Sequence, residues 1–405
     1  MILTKYFWAL FAKILNYIVP VKSGYWVFAS DKGNLYREGA KYLFEYVNRV
    51  HPAIHCTYIV RNRETLLEIR SKGYRAYMND SIKGIFEVVR AQAVFTTTDI
   101  NDMKYAYNKK GRKRYYLNHG QCLKKQMKAL SNNYLLASNQ IGVRFSGFLS
   151  PLNSIYSAIC NFLFHYATLD DSSFVSANSE YFIPFFKACY GEDMRIKILG
   201  MPRNDSLFNK AEMESEKWLP ELNGKFVITY MPTHRMYGVG SLTPIPFVEN
   251  KEILAWMEKN NVVLLMKQHP NMIREGVNHI HTNTIVDITK MRLDPQVIIY
   301  HSDVLISDYS SVWLDYLLLR RPLITYLYDD FEKNDAGLNI DIKNDTPGHL
   351  AFDEAELFSI IKRIFCNYNE MCPSEEQIKK FYKDIDGNAC QRYFDAVTND
   401  LKEYE

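Results

Sequence analysis

A histidine followed by glycine is the first pair of residues in this chain that could do chemistry. His119 and Gly120 lie in the segment LNHGQCLK at 117–124, directly after an apolar run. A histidine with a pKa near neutrality can accept a proton from an attacking hydroxyl. A glycine beside it lets the backbone approach a ligand closely. The pair predicts a general base in a loop, although a loop histidine with a purely structural role fits the same pattern.

Two further segments place cationic and hydroxyl side chains after predicted strands. Thr233 and Arg235 belong to YMPTHR at 230–235, and an arginine there could bind phosphate through its bidentate fork. Lys267 and His269 belong to KQHP at 267–270. In an extended chain, residues two apart share a side, so these two could face one diphosphate. Solvated surface residues would give the same spacing.

A serine pair marks the fourth segment, ISDYSSVWLD at 306–315. A buried strand should end at Ser307 and Asp308, and Ser310 and Ser311 should open a helix. The free N–H groups of a helix start, together with two hydroxyls, can bind an anion. An ordinary N-cap is the alternative interpretation, because serine is common at that position.

The elements that must position these segments alternate between strand and helix. Strands are predicted at 25–30, 56–60 and 93–97, with helices at 38–47 and 64–72 between them. The rhythm restarts after residue 224, with strands predicted at 226–231, 262–267, 297–300, 304–307 and 323–327. Such alternation predicts an α/β fold with parallel sheets flanked by helices. Two such halves suggest paired Rossmann-like domains facing across a cleft.

Three segments bear on membrane contact. In residues 1–20, large apolar residues fill one side of a helix, and the other, narrow face is shared by Lys5, Ala9, Ala12, Lys13 and Asn16. Such a helix would either lie in a membrane interface or dock on the core of the protein. Residues 145–169 lack Asp, Glu, Lys and Arg, which fits an amphipathic hairpin in lipid, a buried helical insertion or a solvated loop. The basic run NKKGRKRYY at 108–116 could meet anionic headgroups or be solvated.

Composition excludes several classes of protein. The seven cysteines are scattered and never spaced as CxxC, so neither a disulfide framework nor a zinc knuckle is predicted. The net charge of +3 alone argues neither for nor against an anionic partner, but the basic run lacks interleaved stacking aromatics, so no nucleic-acid partner is expected. His279 and His281 form an HxH without a third ligand in view, and no metal site is predicted.

Taken together and in this order, the segments resemble the CDP-glycerol glycerophosphotransferase family, which makes and primes teichoic acids and some glycerol-phosphate capsules. The matching motifs are HG-x-x-LK at His119–Lys124, P-T-x-R at Pro232–Arg235, K-x-HP at Lys267–Pro270, and SDYSS at Ser307–Ser311 followed by Asp315. GMPRND at 200–205 resembles the domain-junction motif of the family, and DGNACQR at 386–392 resembles its C-terminal motif.

The resemblance implies a GT-B fold and a membrane-associated transferase of cell-wall or capsule biosynthesis. Residues 1–24 would be an amphipathic N-terminal helix, 25–200 an acceptor domain with the apolar insertion 145–169, 201–385 a CDP-donor domain, and 386–405 a C-terminal helix. The implied donor is CDP-glycerol and the implied acceptor is lipid-linked, at the cytoplasmic face of the membrane and its anionic surface. No cofactor or metal is implied.

The resemblance also implies roles for individual residues. His119 would be the general base, with His269 as a second catalytic residue. The donor would be held by Thr233, Arg235, Lys267, Ser310, Ser311 and Asp315.

Some positions depart from the family pattern. Gln121-Cys122 replaces the usual Thr-Pro or Thr-Ala, and Asp335-Ala336-Gly337 replaces an Arg-Gly step, which leaves the polyol and the acceptor open. Two alternatives also remain. One is a GT-B glycosyltransferase that uses a nucleotide sugar, and the other is a non-catalytic membrane organiser of a polymer-synthesis complex.

Overall fold

In the computed structural model, the described residues are 2–98, 102–125, 152–164, 171–216, 218–233, 246–268, 282–329 and 337–403. Five parallel strands form the first sheet, in the order β3-β2-β1-β4-β5. They are β1 (Lys22–Phe28), β2 (His55–Val60), β3 (Ala76–Met78), β4 (Ala91–Thr96) and β5 (Lys113–Tyr116). This strand order reverses between β1 and β4, and ligands of such sheets bind beyond the carboxyl ends of the strands at that point.

Six helices accompany the first half within the described residues. They are α1 (Ile2–Ile18), α2 (Glu38–Val50), α3 (Arg63–Ser71), α4 (Ile82–Arg90), α5 (Leu152–Phe164) and α6 (Ile183–Tyr190). A separate pair of parallel strands, β6 (Val175–Ala177) and β7 (Ile196–Ile198), precedes the 3-10 segment Pro202–Phe208. That segment contacts α2, so it lies beside the first domain as the chain passes to the second.

The second sheet repeats the first arrangement. Its six parallel strands have the order β10-β9-β8-β11-β12-β13 and reverse between β8 and β11. They are β8 (Phe226–Met231), β9 (Val262–Met266), β10 (Ile285–Asp287), β11 (Val304–Ser307), β12 (Leu323–Tyr326) and β13 (His349–Ala351). Both sheets therefore have the Rossmann strand order, and the predicted α/β class with two Rossmann-like domains is confirmed.

Helices of the later chain complete both domains. They are α7 (Lys210–Ser215), α8 (Lys251–Lys259), α9 (Pro295–Tyr300), α10 (Val312–Leu317), α11 (Ile342–Asp345), α12 (Glu354–Cys366), α13 (Glu375–Phe381) and α14 (Ala389–Lys402). Helix α14 returns to the first domain, where Tyr393 and Val397 join the core that contains Trp26 and Phe95. The boundaries predicted at 24/25, 200/201 and 385/386 stay predictions.

The strand predicted at 297–300 is wrong, because these residues belong to helix α9. Asp294 is the N-cap, its side chain accepts a hydrogen bond from the backbone N–H of Gln296, and Pro295 follows at the first helical position. A short apolar run fits a strand or a helix by periodicity, so the Asp-Pro start decides the outcome.

Helix α1 turns its small residues toward the protein and its large ones outward. Ala9 and Ala12 are fully buried, whereas Phe7 and Leu10 are more than half exposed. The adjoining helix α5 contacts α1 through the ring pair Tyr6–Phe164. Within the described residues, fourteen large hydrophobic side chains are exposed, and nine of them lie on α1, α4 and α5. We call the outer side of these three helices the apolar platform.

The basic run 108–116 is largely internal. The guanidinium of Arg112 donates to the carbonyls of Val88 and Val89 at the end of α4, and the side chain of Arg114 is buried beside Asn108. Lys109 donates to carbonyls at the end of α1. The expectation that this run meets headgroups is therefore corrected for Lys109 and Arg112, because these two side chains bind carbonyls at helix ends instead.

Candidate active site

His119 stands at the carboxyl end of β5, after a turn that only a few residue types tolerate. Asn118 has a φ of 57°, in the left-handed region where asparagine is among the few suitable non-glycine residues. The side-chain oxygen of Asn118 accepts a hydrogen bond of 3.1 Å from the hydroxyl of Tyr190. This turn places His119 beyond the end of the sheet, and His119 is exposed to solvent.

Gly120 brings the two domains into contact. A Cβ on Gly120 would lie 2.4 Å from the Oγ of Ser311 and 3.1 Å from its Cβ. Real Cβ atoms do not approach other heavy atoms so closely, so only glycine fits without a shift of the neighbouring serine. The group that Gly120 approaches is Ser311, which joins the His-Gly segment to the serine pair across the cleft. The predicted close approach to a ligand stays a prediction.

The serine pair lies at the reversal point of the second sheet. Ser311 is the N-cap of α10, and the Oγ of Ser310 accepts from the backbone N–H of Val312 at 3.4 Å. The carboxylate of Asp308 accepts from the backbone N–H of Thr233 at 2.8 Å. The loops after β8 and β11 are thereby tied together, and Thr233 is placed near the serine segment.

Lys267 points toward its own domain. Its Nζ donates to the backbone carbonyls of Ile288, Thr289 and Met291 at 3.4, 3.2 and 2.9 Å. Burial, assisted by Arg37, lowers the pKa of Lys267 to about 8, while Asp287 opposes the shift. The lysine is therefore still largely protonated at neutral pH, but less firmly than an exposed lysine.

Arg235 and His269 lie outside the described residues, and so do His279 and His281. Their predicted roles stay predictions. Within the described residues there is no cluster of three or more His, Cys, Asp or Glu side chains that could hold a metal ion. The expectation that no metal or cofactor is required remains an expectation.

Sequence reasoning missed the central part played by Arg203. Its Nη1 donates to the carboxylate of Glu38 and to the backbone carbonyl of His119, both at 2.7 Å. Its Nε donates to the carboxylate of Asp315 at 2.7 Å. Glu38 opens helix α2 with a φ of 64°, an unfavourable conformation for glutamate. The motif GMPRND held the only sequence signal for this contact.

Asp315 is buried within this network rather than exposed in the cleft. Its side chain also accepts from Gln296 at 3.0 Å, and the residue is 3% exposed. Burial alone would lower the pKa of Arg203, but Asp315 and Glu38 stabilise the guanidinium and raise it. The structure therefore places Asp315 beside Arg203, and the predicted contact with the donor stays a prediction.

The surroundings favour the neutral form of His119. Burial by the cleft walls lowers its pKa, even though part of the residue remains accessible to solvent. Glu38 acts in the opposite direction, whereas Arg203, Lys124 and Arg37 lower the pKa further. A neutral imidazole can accept a proton at physiological pH, which is the state that a general base requires.

The two remaining motifs dock on each other. The carboxylate of Asp205, in GMPRND, accepts from the backbone N–H groups of Ala389 and Cys390 at 2.8 and 2.7 Å. It thereby caps the start of α14. The guanidinium of Arg392, in DGNACQR, donates to the carbonyl of Leu199 at 3.0 Å. Both motifs therefore fix the chain where it passes between the domains.

A histidine of one Rossmann-like domain and serine hydroxyls of the other come together in the cleft. This arrangement defines a GT-B-like protein. The chain belongs to the CDP-Glycerol:Poly(glycerophosphate) glycerophosphotransferase family, whose sequence model matches residues 11–399. The resemblance found in the sequence is confirmed.

Similar proteins share this fold and parts of the sequence. The wall teichoic acid polymerase TagF has a TM-score of 0.70 and 23% identity over 98% of this chain and 94% of that structure. The teichoic acid glycerol-phosphate transferase of Staphylococcus aureus is 27% identical over 91% of this chain and 92% of its own length. The teichoic acid ribitol-phosphate polymerase TarL of Staphylococcus aureus is 34% identical over 40% of this chain, a match that covers only 30% of TarL.

Proposed function

We propose that this protein transfers glycerol phosphate, or a related polyol phosphate, from CDP-glycerol to a lipid-linked, teichoic-acid-like or capsular acceptor and releases CMP. The observation that carries the proposal is the contact between Gly120 and Ser311, which brings a histidine of one domain to the serine segment of the other. Family membership and the names of the similar proteins supply the donor class.

The proposed reaction is an in-line displacement at the β-phosphorus of the donor. His119 accepts the proton of the acceptor hydroxyl while the hydroxyl oxygen forms a bond to that phosphorus. The bond from the phosphorus to the bridging oxygen breaks, and CMP leaves with the bonding electrons. The hydroxyls of Ser310 and Ser311 would stabilise the phosphate oxygens, as fixed donors do at developing charge. Arg235 and His269 are proposed for the same task, and no cofactor is required.

We further propose that the protein acts at the cytoplasmic face of the membrane without crossing it. No helix among the described residues has the length and apolar character to span a bilayer. The apolar platform supports contact with the membrane surface, because exposed apolar faces of this kind bury themselves at the boundary of headgroups and acyl chains. The lipid-linked acceptor would reach the cleft from that surface.

The first experiment measures CMP release with CDP-glycerol, CDP-ribitol and a UDP-sugar in turn, with lipid-linked acceptor in vesicles. We expect release from a CDP-polyol, and a loss of about 10²–10⁴-fold on His119→Ala, the usual contribution of a general base. Because the pKa of His119 is lowered, the rate should start to fall only below pH 6.5, the ordinary value for histidine.

His349→Asn serves as the matched control, since His349 lies at the amino end of β13 and binds the carbonyl of Met371. Wild-type turnover by His119→Ala would refute the assignment of His119 as the general base. Release of UDP would favour a glycosyltransferase. Inactivity with every donor, together with retained vesicle binding, would favour the non-catalytic organiser.

A further inference from the structure

The loop at 288–294 joins β10 to α9 and reaches from the second domain to the first. Arg292 of this loop forms an ion pair with Glu64 of α3 and lies 3.8 Å from Glu68 of the same helix. Its Nη2 also donates to the hydroxyl of Thr65 at 3.1 Å. One guanidinium therefore contacts three residues of a helix in the first domain, and we call residues 288–294 the clasp loop.

The last residue of the clasp loop makes a more deeply buried contact with the first domain. One carboxylate oxygen of Asp294 accepts from the Nζ of Lys41 at 2.8 Å and from the hydroxyl of Tyr42 at 2.9 Å, both on α2. The side chains of Lys41 and Asp294 are 5% and 11% exposed. Because the pair is shielded from water, its loss is more costly than the loss of an exposed ion pair.

Lys267, which follows β9, holds the clasp loop in shape. An ammonium group has three donors, and the Nζ of Lys267 donates to the backbone carbonyls of Ile288, Thr289 and Met291. The backbone N–H of Gln268 donates to the hydroxyl of Thr289 at 3.0 Å. The donors of Lys267 are therefore engaged by the clasp loop and are not directed at a diphosphate.

The clasp loop continues directly into the buried network around Arg203. Asp294 is the N-cap of α9, and the side chain of Gln296, in the first turn of that helix, donates to Asp315 at 3.0 Å. Asp315 accepts from Arg203, and Arg203 also donates to the backbone carbonyl of His119. A continuous series of contacts therefore connects the clasp loop to the backbone of the proposed base.

We propose that Lys267 is a positioning residue for the transfer reaction: it shapes the clasp loop, which holds the two domains together and keeps His119 opposite the serine pair. Lys267 thus acts through the clasp loop and does not contact the donor diphosphate. This inference rests on the proposed function for its effect on the rate, but the arrangement of the domains can be measured without turnover.

Small-angle X-ray scattering of the full chain tests the clasp without turnover. Lys267→Met removes all three donors and keeps an unbranched side chain. The clasp loop should then lose its shape, the domains should separate more often, and the radius of gyration should rise. Lys210→Met is the matched control, because Lys210 lies on α7 with its side chain 78% exposed. An unchanged radius of gyration in folded Lys267→Met would refute the clasp.

Calorimetric titration with CDP separates the two possible roles of Lys267. The proposed diphosphate ligands Ser310 and Ser311 belong to the second domain and do not touch the clasp loop, so Lys267→Met should bind CDP about as tightly as the wild type. A lysine that contacts the diphosphate would contribute a charged hydrogen bond, and its removal would weaken binding by about tenfold or more. A loss of that size would overturn the positioning role.

Turnover tests whether Lys267 acts through the clasp loop. We expect Lys267→Met and Asp294→Asn each to lower kcat by about 10–10²-fold, the scale of a misplacement of about 1 Å, with the KM for CDP-glycerol little changed. The double variant should lose no more than the larger single effect, because both changes act on one loop. Unchanged kcat in Lys267→Met, or losses that multiply in the double variant, would overturn the inference.

Two further measurements keep the test decisive. Arg292→Gln removes a more exposed contact of the clasp loop and should lower kcat in the same direction by a smaller factor, so it replaces Asp294→Asn if that variant does not fold. If the wild type turned over no CDP-polyol, the proposed function would be refuted. The scattering comparison would then still decide whether Lys267 holds the domains together.

Discussion

Arg203 connects three parts of the active site that are far apart in the chain. One guanidinium donates to Glu38, to the carbonyl of His119 and to Asp315. Because Arg203 is 5% exposed, these charge-assisted bonds form with little competition from water. The arginine therefore fixes the backbone that carries His119, as a positioning residue rather than a catalytic one.

Replacement of Arg203 should lower kcat without weakening the binding of CDP-glycerol. We expect Arg203→Gln to lower kcat by roughly 10–100-fold, the scale of a lost supporting contact, with the KM for CDP-glycerol little changed. Arg203→Lys should recover only part of the rate, because an ammonium cannot reproduce the planar fork. Steady-state kinetics with both substrates measures the split.

Arg320→Gln is the control for this prediction, because it removes an arginine ion pair, that with Glu375, in which both side chains are about half exposed. If Arg203→Gln lowered the melting temperature but left kcat unchanged, Arg203 would be a structural residue only.

The sequence identified the candidate residues of the site but not the contact of Arg203 with Glu38 and Asp315. His119, Gly120 and the serine pair were recognisable because each follows an apolar strand. Glu38 and Arg203 are 165 positions apart, and neither has a local pattern that predicts the other. Burial of Asp315 was equally hidden, since an aspartate in the first turn of a helix is normally solvated.

At the scale of elements, helix α1 carries two surfaces with different partners. Its alanines let the helix pack closely on the first domain, while Leu10 and Ile14 point away and are 51% and 52% exposed. The two interpretations of this segment, docking on the core and facing a membrane, are thus compatible, because they concern opposite faces of one helix.

Removal of the outer apolar side chains should release the protein from vesicles. Full burial of one leucine or isoleucine contributes about 1.5–3 kcal/mol, so Leu10→Gln with Ile14→Gln should weaken binding to anionic vesicles at least roughly tenfold. Flotation with phosphatidylglycerol vesicles measures the bound fraction. Leu67→Gln, an exposed leucine on α3, is the control. Equal flotation of the double variant and wild type would show that α1 does not contact lipid.

Short elements limited the sequence prediction at this scale. The run at 297–300 has four apolar residues, too few to separate a strand from a helix without its Asp-Pro start. The prediction for the basic run 108–116 was wrong at Lys109 and Arg112 for another reason. Charge alone does not show whether a basic side chain faces solvent or binds the carbonyls of a helix end.

For the whole molecule, ion pairs across the cleft hold the domains in their observed arrangement. Lys41 of α2 pairs with Asp294, which also accepts from the hydroxyl of Tyr42 at 2.9 Å. Burial acts to raise the pKa of Asp294, but Lys41 and these hydrogen bonds outweigh it and lower the pKa. The ionised carboxylate is therefore the form that stabilises the native state.

Asp294→Asn should lower stability at neutral pH by roughly 3 kcal/mol, because it leaves the buried Lys41 with only the longer contact to Glu216, at 3.8 Å. Asparagine keeps the N-cap of α9, so the change is confined to the other carboxylate oxygen, which accepts from Lys41 and Tyr42. Since a lowered carboxyl pKa stabilises the fold above the unfolded-state value of 3.8, the difference from wild type should shrink as the pH falls below that value.

Urea unfolding between pH 3 and 7 measures this dependence, with the exposed Asp193→Asn as control. If the free energy of unfolding differed between Asp294→Asn and wild type by the same amount across that range, the ion pair of Lys41 and Asp294 would not be the source of the difference.

The two-sheet architecture was predictable because the strand-helix rhythm stops and restarts along the chain. The return of α14 to the first core was not, since its apolar residues show only that the helix has a buried face. Which sheet it covers depends on the docking of Asp205 on the start of that helix, a contact between residues 184 positions apart.

That return has a consequence for synthesis of the protein. The ribosome makes β1 to β5 first, yet Tyr393 and Val397, which cover Trp26 and Phe95, are translated only after the whole second domain. At about 5–20 residues per second, the first core stays open for tens of seconds. Of the two Rossmann-like domains, the one that is translated first is therefore finished last, and the nascent protein exposes an aromatic surface throughout that interval.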